Sequence, residues 1–335
     1  MTPRTALIFG ISGQDGAYLS HLLLTKGYKV HGVTRDAGRA DLSRLTRLGV
    51  QGRIELHSDD LSARGGGTGL IQALAPDEIY NLSGQSSAGL SFERPLETFD
   101  SIAAASVNLL ECLRVGKRPA RLFQAISSDC FGDAEGRLTE SSPFRPRSPY
   151  AAAKAAAFWA GATWREAYGL HVCSGILANH ESPLRPAQFV TGKIVRAAVD
   201  IARGGAERLR LGDVSVGRDW GWAPEYAQAM WMSLQAETPS DYVIATGETN
   251  LLSDLVAAIF EALDLDWRNH VDIDKSLFRP GEPRRVELDP SHARDVLGWS
   301  AKSRMRDVAR QLVAGLTDGQ LGPAPWVEGE LKDLD

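Results

Sequence analysis

The sequence predicts an α/β protein, in which a doubly wound parallel sheet with helices on both faces precedes a smaller, mostly helical C-terminal part. Short apolar runs alternate with amphipathic stretches through the first 180 or so residues. Such strand–helix alternation is typical of a parallel sheet covered on both faces. Beyond that point prolines and glycines interrupt the chain, and the apolar runs become shorter and irregular.

The predicted elements of the first part are short and closely spaced. Apolar runs predict strands at 6–9, 29–33, 54–57, 78–82, 122–126 and 172–177. Apolar residues at helical spacing predict helices at 17–24, 70–74, 107–113 and 150–164 between them. Farther on we expect a strand at 242–245, a helix at 253–263 capped by Ser253, and a final helix that opens at 289–291. The tail from Asp318 is acidic and is expected to fray.

The composition argues against several classes of protein. Of 335 residues, 43% are hydrophobic and 24% charged, and the net charge of −5 offers no basic field to nucleic acid or an anionic membrane. No apolar run reaches the ~20 residues of a membrane span, and the first residues lack a signal-peptide pattern. Three scattered cysteines fit a reducing compartment, and seven histidines show no ligand spacing. We expect a cytoplasmic protein with no metal, nucleic-acid or membrane partner.

A glycine-rich segment follows the first predicted strand directly and leads into a helix. Its spacing is G-x-x-G-x-x-G, and glycines permit a tight turn and a close approach of the backbone to a ligand. The N-terminus of the following helix then faces a pyrophosphate. This position predicts dinucleotide binding by Gly10, Ser12, Gly13, Gln14, Asp15 and Gly16.

The tips of the second and third strands bear on the choice of cofactor. Arg35 favours the 2′-phosphate of NADP, whereas the neighbouring Asp36 leaves NAD open, since an acid there grips the ribose 2′-hydroxyl. Asp60 and Leu61 suit an adenine, with the carboxylate accepting from the amino group and the Leu packing on the ring. The alternative is an ordinary loop acid beside a core Leu.

Two groups of residues carry candidate chemistry. Tyr150 and Lys154 lie four apart on one predicted helix face, where a nearby ammonium would lower the pKa of the phenol towards a value useful for proton transfer. The fifth strand ends in Ser127, Ser128 and Asp129, and the carboxyl end of such a strand faces the ligand crevice. Their hydroxyls and carboxylate could bind a sugar and move a second proton, or could simply cap a turn.

Longer motifs make the chain resemble a known family. They lie at 10–19 (GISGQDGAYL), 80–86 (YNLSGQS), 143–154 (PFRPRSPYAAAK), 165–170 (REAYGL), 175–185 (GILANHESPLR), 189–193 (FVTGK), 218–221 (RDWG), 242–248 (YVIATGE), 278–282 (FRPGE) and 297–299 (LGW). With these motifs the chain resembles the extended short-chain dehydrogenases/reductases, and among them the GDP-mannose 4,6-dehydratases. The likeness spans residues 5 to about 315 and implies a Rossmann-type sheet.

The resemblance implies roles in catalysis. In that family a Tyr takes the proton of the sugar O4 while C4 gives up hydride, and Tyr150 with Lys154 matches this position. Ser127 matches a hydroxyl that hydrogen-bonds O4, and Asp129 matches a Glu that removes the C5 proton and helps expel O6 as water. The resemblance therefore implies an NADP-dependent lyase that converts GDP-mannose to its 4-keto-6-deoxy derivative.

The change from Glu to Asp129 leaves alternatives open. Asp reaches about one methylene less than Glu, and proton transfer depends on that reach. If elimination is lost, reversible oxidation at C4 remains, which is the chemistry of a C4-epimerase or a 4-ketoreductase of a GDP-linked sugar. A non-catalytic cofactor-binding protein is a third alternative, against which the intact Tyr150–Lys154 pair argues.

The resemblance also implies binding residues. Cofactor contacts carry over to Tyr150, Lys154, Leu177, Asn179, His180 and Arg185, and we interpret His180 as a hydrogen-bonded structural residue rather than a base. Contacts with the nucleotide-sugar carry over to Gln85, Ser86, Ser127, Ser128, Asn179, Val190, Lys193, Arg218, Arg279 and Glu282. Arg and Lys suit the oxygens of a diphosphate.

The resemblance further implies a domain division and an assembly. We expect an NADP-binding domain at 1–180, to which segments near 213–250 return, a mainly substrate-binding domain at 181–320 and a tail at 321–335. A homodimer or homotetramer is expected. Asp36 and Gly192 stand where the family has Arg, which leaves NAD against NADP, the tetramer geometry and the nucleotide base open.

Overall fold

The computed structural model describes residues 3–116, 119–205, 207–278, 281–327 and 330–331. Its strands are β1 Thr5–Phe9, β2 Lys29–Thr34, β3 Glu55–Ser58, β4 Glu78–Asn81, β5 Arg121–Ser127, β6 Arg137–Leu138, β7 Val172–Leu177, β8 Asn179–Glu181, β9 Leu209–Leu211, β10 Gly217–Arg218, β11 Trp220–Trp222, β12 Asp241–Ile244, β13 Asn250–Leu251, β14 Val271–Ile273, β15 Glu287–Leu288, β16 Gly322–Pro323 and β17 Glu330–Leu331. Its α-helices are α1 Gln14–Thr25, α2 Ser43–Arg47, α3 Thr68–Leu74, α4 Ala88–Glu93, α5 Pro95–Phe99, α6 Ala105–Val115, α7 Pro149–Tyr168, α8 Val190–Ala202, α9 Ala223–Ser233, α10 Leu252–Glu261, α11 Ser291–Leu297 and α12 Met305–Thr317. A π-helical turn, Asp100–Ala104, joins α5 to α6, and 3-10 turns lie at Gln51–Arg53, Ser128–Phe131, Trp267–Asn269 and Lys275–Leu277.

Seven strands form one parallel sheet in the order β12-β7-β5-β4-β1-β2-β3. The order changes direction at β1, because β2 and β3 lie on one side of it and β4, β5, β7 and β12 on the other. In register, Ile8 of β1 pairs with Gly32 of β2 and with Tyr80 of β4. This doubly wound sheet confirms the predicted fold class, and its strand bounds lie within a residue of those expected from the apolar runs.

Helices cover both faces of this sheet. On one face α1 packs against α9, and the apolar core there includes Leu19, Leu22 and Met230. On the other face α3 and α6 bury Ile71 and Leu109 in a separate core. Helix α7 lies on this second face too, where a Cβ at Gly161 would lie 2.8 Å from the amide nitrogen of Gln124, so that a larger residue would displace this side chain.

The later part of the chain builds a second apolar core. Helices α8, α10 and α12 meet there with β9 and β14, and their buried side chains include Ile194, Ile259 and Val308. Part of the same stretch returns to the main sheet, where β12 pairs with β7 and α9 packs on α1. Whether the two parts divide at residue 180 stays a prediction. In the part of the chain that the structure describes, no helix has the length and apolarity needed to cross a membrane.

Three details of the C-terminal part differ from the sequence-based expectations. Ser253 does not cap its helix, because α10 begins one residue earlier and the Asp254 carboxylate accepts from the backbone N–H of Leu251 at 2.9 Å. Helix α11 opens as predicted but is followed by α12. The start of the tail is packed rather than frayed, since Leu321 is buried and the Trp222 indole N–H donates to the carbonyl of Pro323 at 2.7 Å. Residues 332–335 lie outside the described part.

Candidate active site

The glycine turn between β1 and α1 has the shape of a phosphate cradle. Gly10 has a φ of +84°, and a Cβ there would lie 2.6 Å from the carbonyl oxygen of Leu82. At Gly16 a Cβ would lie 2.5 Å from the carbonyl oxygen of Gly10, so the turn closes only without side chains. Among the described residues no side chain caps the first turn of α1 at Gly13. The free N–H groups and the positive end of the helix dipole suit a pyrophosphate, so the residues present fit a dinucleotide.

Polar contacts hold the first turn of α1 against β8. The Gln14 amide donates to the carbonyl of His180 at 3.1 Å and accepts from the Ser182 hydroxyl at 2.7 Å. Asp15 forms a 3.0 Å ion pair with His180 Nε2, while His180 Nδ1 lies 2.7 Å from the carbonyl oxygen of Ala178. Both ring nitrogens therefore face acceptors, and only the doubly protonated imidazolium can donate to both.

The Asp15–His180 pair shifts the pKa of each partner. Burial disfavours both charges, but the imidazolium and the Gln14 amide outweigh it for Asp15, whose pKa falls to about 2. For His180 burial is likewise outweighed by the charge and hydrogen bond of Asp15, and its pKa is raised. These contacts agree with the structural interpretation of His180.

This pair predicts a pH-dependent contribution to stability. The Asp15 part is present above the ordinary Asp pKa of about 3.9 and is lost as the pH falls through the lowered value. The His180 part is present below the ordinary His pKa of about 6.5 and is lost as the pH rises through the raised value. Replacing Asp15 with Asn should therefore lower the Tm by roughly 5–10 °C at pH 5.5 and by less at pH 8.5.

Thermal unfolding of both proteins at the two pH values measures this. The matched control is Asp295→Asn, which removes an exposed pair with Arg294 and should change the Tm little at either pH. An equal loss at pH 5.5 and pH 8.5 for Asp15→Asn would show that the imidazole does not change its charge between these pH values.

The tips of β2 and β3 lie side by side, since Thr34 pairs with Ser58. Arg35 is exposed, and within the described residues its guanidinium has no hydrogen bond or ion pair. The neighbouring Asp36 is engaged locally, because it accepts from the N–H of Gly38 at 3.0 Å and lies 3.7 Å from Arg39. A 2′-phosphate at this edge would therefore meet an unpaired cation beside an acid that is already partnered.

The predicted adenine contacts have local partners. One carboxylate oxygen of Asp60 accepts from the backbone N–H and the hydroxyl of Ser62, at 2.9 and 2.6 Å. The side chain of Leu61 is buried in the core beneath the sheet, beside Phe9 and Ile71. These contacts favour the alternative interpretation, an ordinary loop acid beside a core Leu. The second carboxylate oxygen of Asp60 takes no part in the bonds to Ser62.

A cavity of about 320 Å³ lies at the carboxyl ends of β1, β4, β5 and β7. Elements from both cores line it, including the 85–88 loop, the start of α7, β8, α8 and the loop after β9. The predicted residues that it brings together are Asp15, Gln85, Ser86, Ser127, Asp129, Tyr150, Lys154, Leu177, Asn179, His180, Arg185, Val190, Arg218 and Glu282.

Helix α7 and β5 position the four candidate catalytic side chains. The Ser148 hydroxyl caps α7 by accepting from the N–H of Ala151 at 3.1 Å, which places Tyr150 in the first turn at the cavity wall. Lys154, one turn later, is buried, and its Nζ donates to the carbonyl oxygen of Ala125 at 2.6 Å. Ser127 ends β5, and its Oγ accepts from the N–H of Asp129 at 3.2 Å. Phenol, ammonium, hydroxyl and carboxylate thus border one space.

The pKa of Tyr150 moves in the direction opposite to the prediction. Burial, and then the charge of Asp129, raise the pKa of the phenol, while the Ser127 hydroxyl and the more distant Arg185 lower it. Burial also lowers the pKa of Lys154 to about 8. The expected lowering by the ammonium is therefore wrong for this structure, because Lys154 donates to a backbone carbonyl and a carboxylate lies close to the phenol.

Residues predicted to bind the nucleotide-sugar are held by several internal contacts. Arg218 donates to the carbonyls of Gly217 and Pro283, each at 2.8 Å, and lies 3.4 Å from a carboxylate oxygen of Glu282. The Gln85 amide donates to the carbonyl of Ser87 at 2.8 Å and to the hydroxyl of Thr98 at 3.2 Å. These contacts orient the side chains at the cavity and would have to be shared with a ligand.

Two of the described residues that were predicted to bind the nucleotide-sugar lie outside the lining of this cavity. Lys193 donates to the carbonyl of Arg210 at 2.6 Å, and Ser128 is buried in the 3-10 turn after β5; neither is among the described residues that line the space. Arg279 lies outside the described residues.

The sequence analysis missed two arginines near the site. Arg147 lines the cavity and pairs with Asp133 at 3.5 Å; its position just before the Ser148 cap, inside a quoted motif, was an available signal. Arg44 of α2 donates to the carbonyls of Ser12 and Leu184, at 3.0 and 2.9 Å, and so ties the glycine turn to the loop after β8. No local pattern marks Arg44, because its partners lie far away along the chain.

The position of the Tyr150–Lys154 pair defines the class of protein. Short-chain dehydrogenases/reductases hold such a pair at the carboxyl edge of a parallel sheet, opposite a glycine turn that follows the first strand. Here Tyr150, Lys154 and Asp15 of the first turn of α1 all line the same cavity.

Comparisons with known proteins narrow this class to a family. The family model described as GDP-mannose 4,6 dehydratase matches residues 7–312. The chain is 42% identical over 320 residues to GDP-mannose 4,6 dehydratase 1 of Arabidopsis thaliana. The aligned region covers 92% of this chain and 89% of that protein. The protein belongs to the GDP-mannose 4,6-dehydratase family.

Solved structures share the whole fold. A dTDP-glucose 4,6-dehydratase of Bacillus anthracis in complex with NAD has a TM-score of 0.80 at 18% identity, covering 94% of this chain and 98% of that one. The RMD protein of Pseudomonas aeruginosa complexed with NADPH has a TM-score of 0.77 at 21% identity, covering 94% and 99%. At these identities the likeness extends to the fold alone.

Proposed function

We propose that this protein is an NADP-dependent dehydratase that converts GDP-mannose to GDP-4-keto-6-deoxymannose. The observation that carries the proposal is the cavity whose lining includes Ser127, Asp129, Tyr150 and Lys154 together with Asp15 from the first turn of α1. Membership of the GDP-mannose 4,6-dehydratase family supports the choice of substrate.

The proposed roles follow from the side chains at the cavity wall. Tyr150 takes the proton of the sugar O4. Ser127, whose hydroxyl lowers the pKa of the phenol by hydrogen bonding, holds O4 in place. Asp129 removes the proton at C5 and passes it to O6, which leaves as water, so that the C5–H and C6–O bonds break as a C5–C6 double bond forms. A bound nicotinamide would supply the hydride acceptor for C4 and the hydride donor for C6, and with a solvent proton added at C5 there would be no net redox change.

The raised pKa of Tyr150 means that the phenol is neutral before the ligands bind. A buried phenol beside the Asp129 carboxylate resists ionisation until a positive charge arrives in the cavity. Lys154, with a pKa lowered to about 8, keeps its ammonium near neutral pH and holds the local backbone through Ala125. We propose Lys154 as the group that positions the nicotinamide ribose and the phenol.

A mass assay tests the proposal directly. Purified protein, GDP-mannose and a trace of NADP should give a product lighter by about 18 mass units, without consumption of reduced cofactor. An unchanged mass with a new hexose isomer would indicate a C4-epimerase. Stoichiometric use of NADPH on a 4-keto sugar would indicate a reductase, and tight NADP binding with no turnover would indicate a non-catalytic protein. The epimerase and reductase alternatives rest on the shorter reach of Asp129.

The unpaired Arg35 supports NADP rather than NAD, and it predicts a selective effect. Arg35→Ala should weaken NADP binding by about 10–100-fold, because one charge-assisted contact with the 2′-phosphate is lost, and should leave NAD binding nearly unchanged. Titration of both cofactors measures this. Arg53→Ala removes an exposed Arg before β3 and serves as the control. Equal losses for the two cofactors, or none, would contradict the assignment.

We also propose a homo-oligomer. An exposed apolar surface on α4 to α7 includes Phe92, Leu96 and Trp159, of which Leu96 is 81% exposed. These helices pack beside one another, so the side chains form a patch of the kind that protein interfaces cover. The double variant Leu96→Glu/Trp159→Glu should run as a 36.3 kDa monomer in light scattering. Val296→Glu, at an exposed position on α11, should not change the mass; loss of assembly there as well would place the interface elsewhere.

A further inference from the structure

Pairing of β2 with the edge strand β3 brings together three side chains of types that can bind a metal ion. None of the three lines the cavity. His31 of β2 lies opposite Glu55 of β3, and His57 follows two residues later on the same face. His31 Nδ1 lies 2.9 Å from His57 Nε2 and 3.3 Å from Glu55 Oε2, and one donor atom from each side chain lies within 4.8 Å of the others. Within the described residues this is the only such cluster. The register of β2 and β3 brings these residues together. Their spacing along the chain is not a metal-binding pattern, and the sequence analysis therefore predicted no metal.

The spacing of these atoms is that of ligands around one ion. Bonds of about 2.0–2.1 Å at angles between 90° and 109° put neighbouring ligand atoms roughly 2.8–3.4 Å apart. The distances of 2.9 and 3.3 Å from His31 Nδ1 to its two neighbours lie within that range. The two imidazole rings lie stacked at 5.2 Å, and the strand pair holds them in this arrangement.

The Nδ1 atom of His31 faces two neighbours with a single hydrogen-bonding position. It offers either one proton or one lone pair, yet it lies close to both the His57 nitrogen and the Glu55 carboxylate. Lys29 engages the other carboxylate oxygen of Glu55 at 3.0 Å and so directs Oε2 towards the imidazoles. Such outer contacts orient metal ligands.

Access and ligand chemistry select the kind of ion. Glu55 is exposed and His57 is half-buried, so an ion and its remaining waters can reach the site from solvent. Two imidazoles with one carboxylate suit zinc and the neighbouring late transition metals, whereas magnesium and calcium prefer oxygen ligands. We infer that His31, Glu55 and His57 form a binding site for a divalent transition-metal ion, with Zn²⁺ as its representative, that joins β2 to β3.

Calorimetric titration of EDTA-stripped full-length protein with zinc chloride tests this inference. We expect one equivalent to bind, and Co²⁺ to give the visible absorption of a low-symmetry nitrogen–oxygen site. His57→Ala and Glu55→Gln should each weaken Zn²⁺ binding by at least about 10–100-fold, since loss of a direct ligand should cost no less than loss of an outer contact. Mg²⁺ should not compete.

The controls separate this site from other surface binding. His270→Ala removes a half-buried imidazole that stacks on Phe260 elsewhere, and it should bind Zn²⁺ as the parent does. Glu55→Gln keeps the size of an exposed side chain, so its Tm in EDTA should match the parent and a lost affinity cannot be ascribed to unfolding. Absence of saturable Zn²⁺ binding, or binding that survives both His57→Ala and Glu55→Gln, would overturn the inference and leave a hydrogen-bonded strand pair.

Discussion

A Tyr150→Phe variant is expected to lose turnover of GDP-mannose by about 1,000-fold or more while it binds NADP nearly as the parent does. The loss follows because the phenol is the proposed acceptor of the O4 proton, and general acid–base groups contribute about 100- to 10,000-fold. Phe keeps the ring and its packing in the first turn of α7, so the cavity should survive. The measurement is product formation by mass, with NADP affinity titrated in parallel.

A Tyr on the same helix provides the control. Tyr168→Phe changes an exposed ring that lies tilted beside Trp164 at the far end of α7, and it should retain full activity. A Tyr150→Phe protein with a near-normal rate would remove Tyr150 from the reaction. A joint loss of turnover and NADP affinity would indicate damage to the cofactor site instead.

An Asp129→Asn variant is expected to stop dehydration by about 1,000-fold or more, because Asn has no carboxylate to accept the C5 proton. Its side chain is nearly isosteric, and the N–H of residue 129 can still donate to Ser127, so the turn after β5 should persist. In deuterated water the parent should place solvent deuterium at C5 of the product. The variant should leave C5 of recovered sugar unlabelled.

The matched change is Asp129→Glu, which introduces the longer acid that the resemblance implies at this position. It should keep dehydration and exchange at C5, at a rate equal to or above that of the parent. Unimpaired dehydration by Asp129→Asn would assign the base to another residue. A parent protein that neither dehydrates nor exchanges at C5, together with an Asp129→Glu protein that does both, would support the epimerase or reductase alternative for the natural chain.

The removal of Asp129 also bears on the phenol. Its carboxylate raises the pKa of Tyr150, so Asp129→Asn should lower the pKa of the phenol. Ultraviolet difference titration against Tyr150→Phe measures this shift. A phenol that titrates at the same pH in both backgrounds would show that burial alone sets the pKa.

The main sheet was predictable because local patterns and long-range packing agree there. The buried strands are short and mostly apolar, as in ALIF of β1, and the intervening helices show apolar residues at helical spacing. The glycine turn was recognisable for the same reason, since its shape depends on residues adjacent in the chain. Short helices such as α4 and α5 were not predicted, because they rest on contacts with α7 rather than on a local apolar stripe.

The electrostatics of the site depend on three-dimensional neighbours that spacing does not reveal. The spacing of Tyr150 and Lys154 correctly puts them on one helix, but it says nothing of the Ala125 carbonyl that Lys154 contacts. Likewise, Arg44 of α2 contacts the glycine turn, and spacing along the chain does not reveal this contact. The His31–Glu55–His57 cluster arises from the register of two paired strands. Pairs formed across such sequence distances lie beyond motif analysis of a single chain.

The measurement that tests the central claim most directly follows one deuterium atom. The claim is that Ser127, Asp129 and Tyr150 hold a single sugar through oxidation at C4, elimination and reduction at C6 without releasing it. With GDP-mannose carrying deuterium at C4, the account predicts a 4-keto-6-deoxy product that retains the deuterium at C6. Deuterium that stays at C4 of a sugar of unchanged mass, or that is lost from the product altogether, would contradict it.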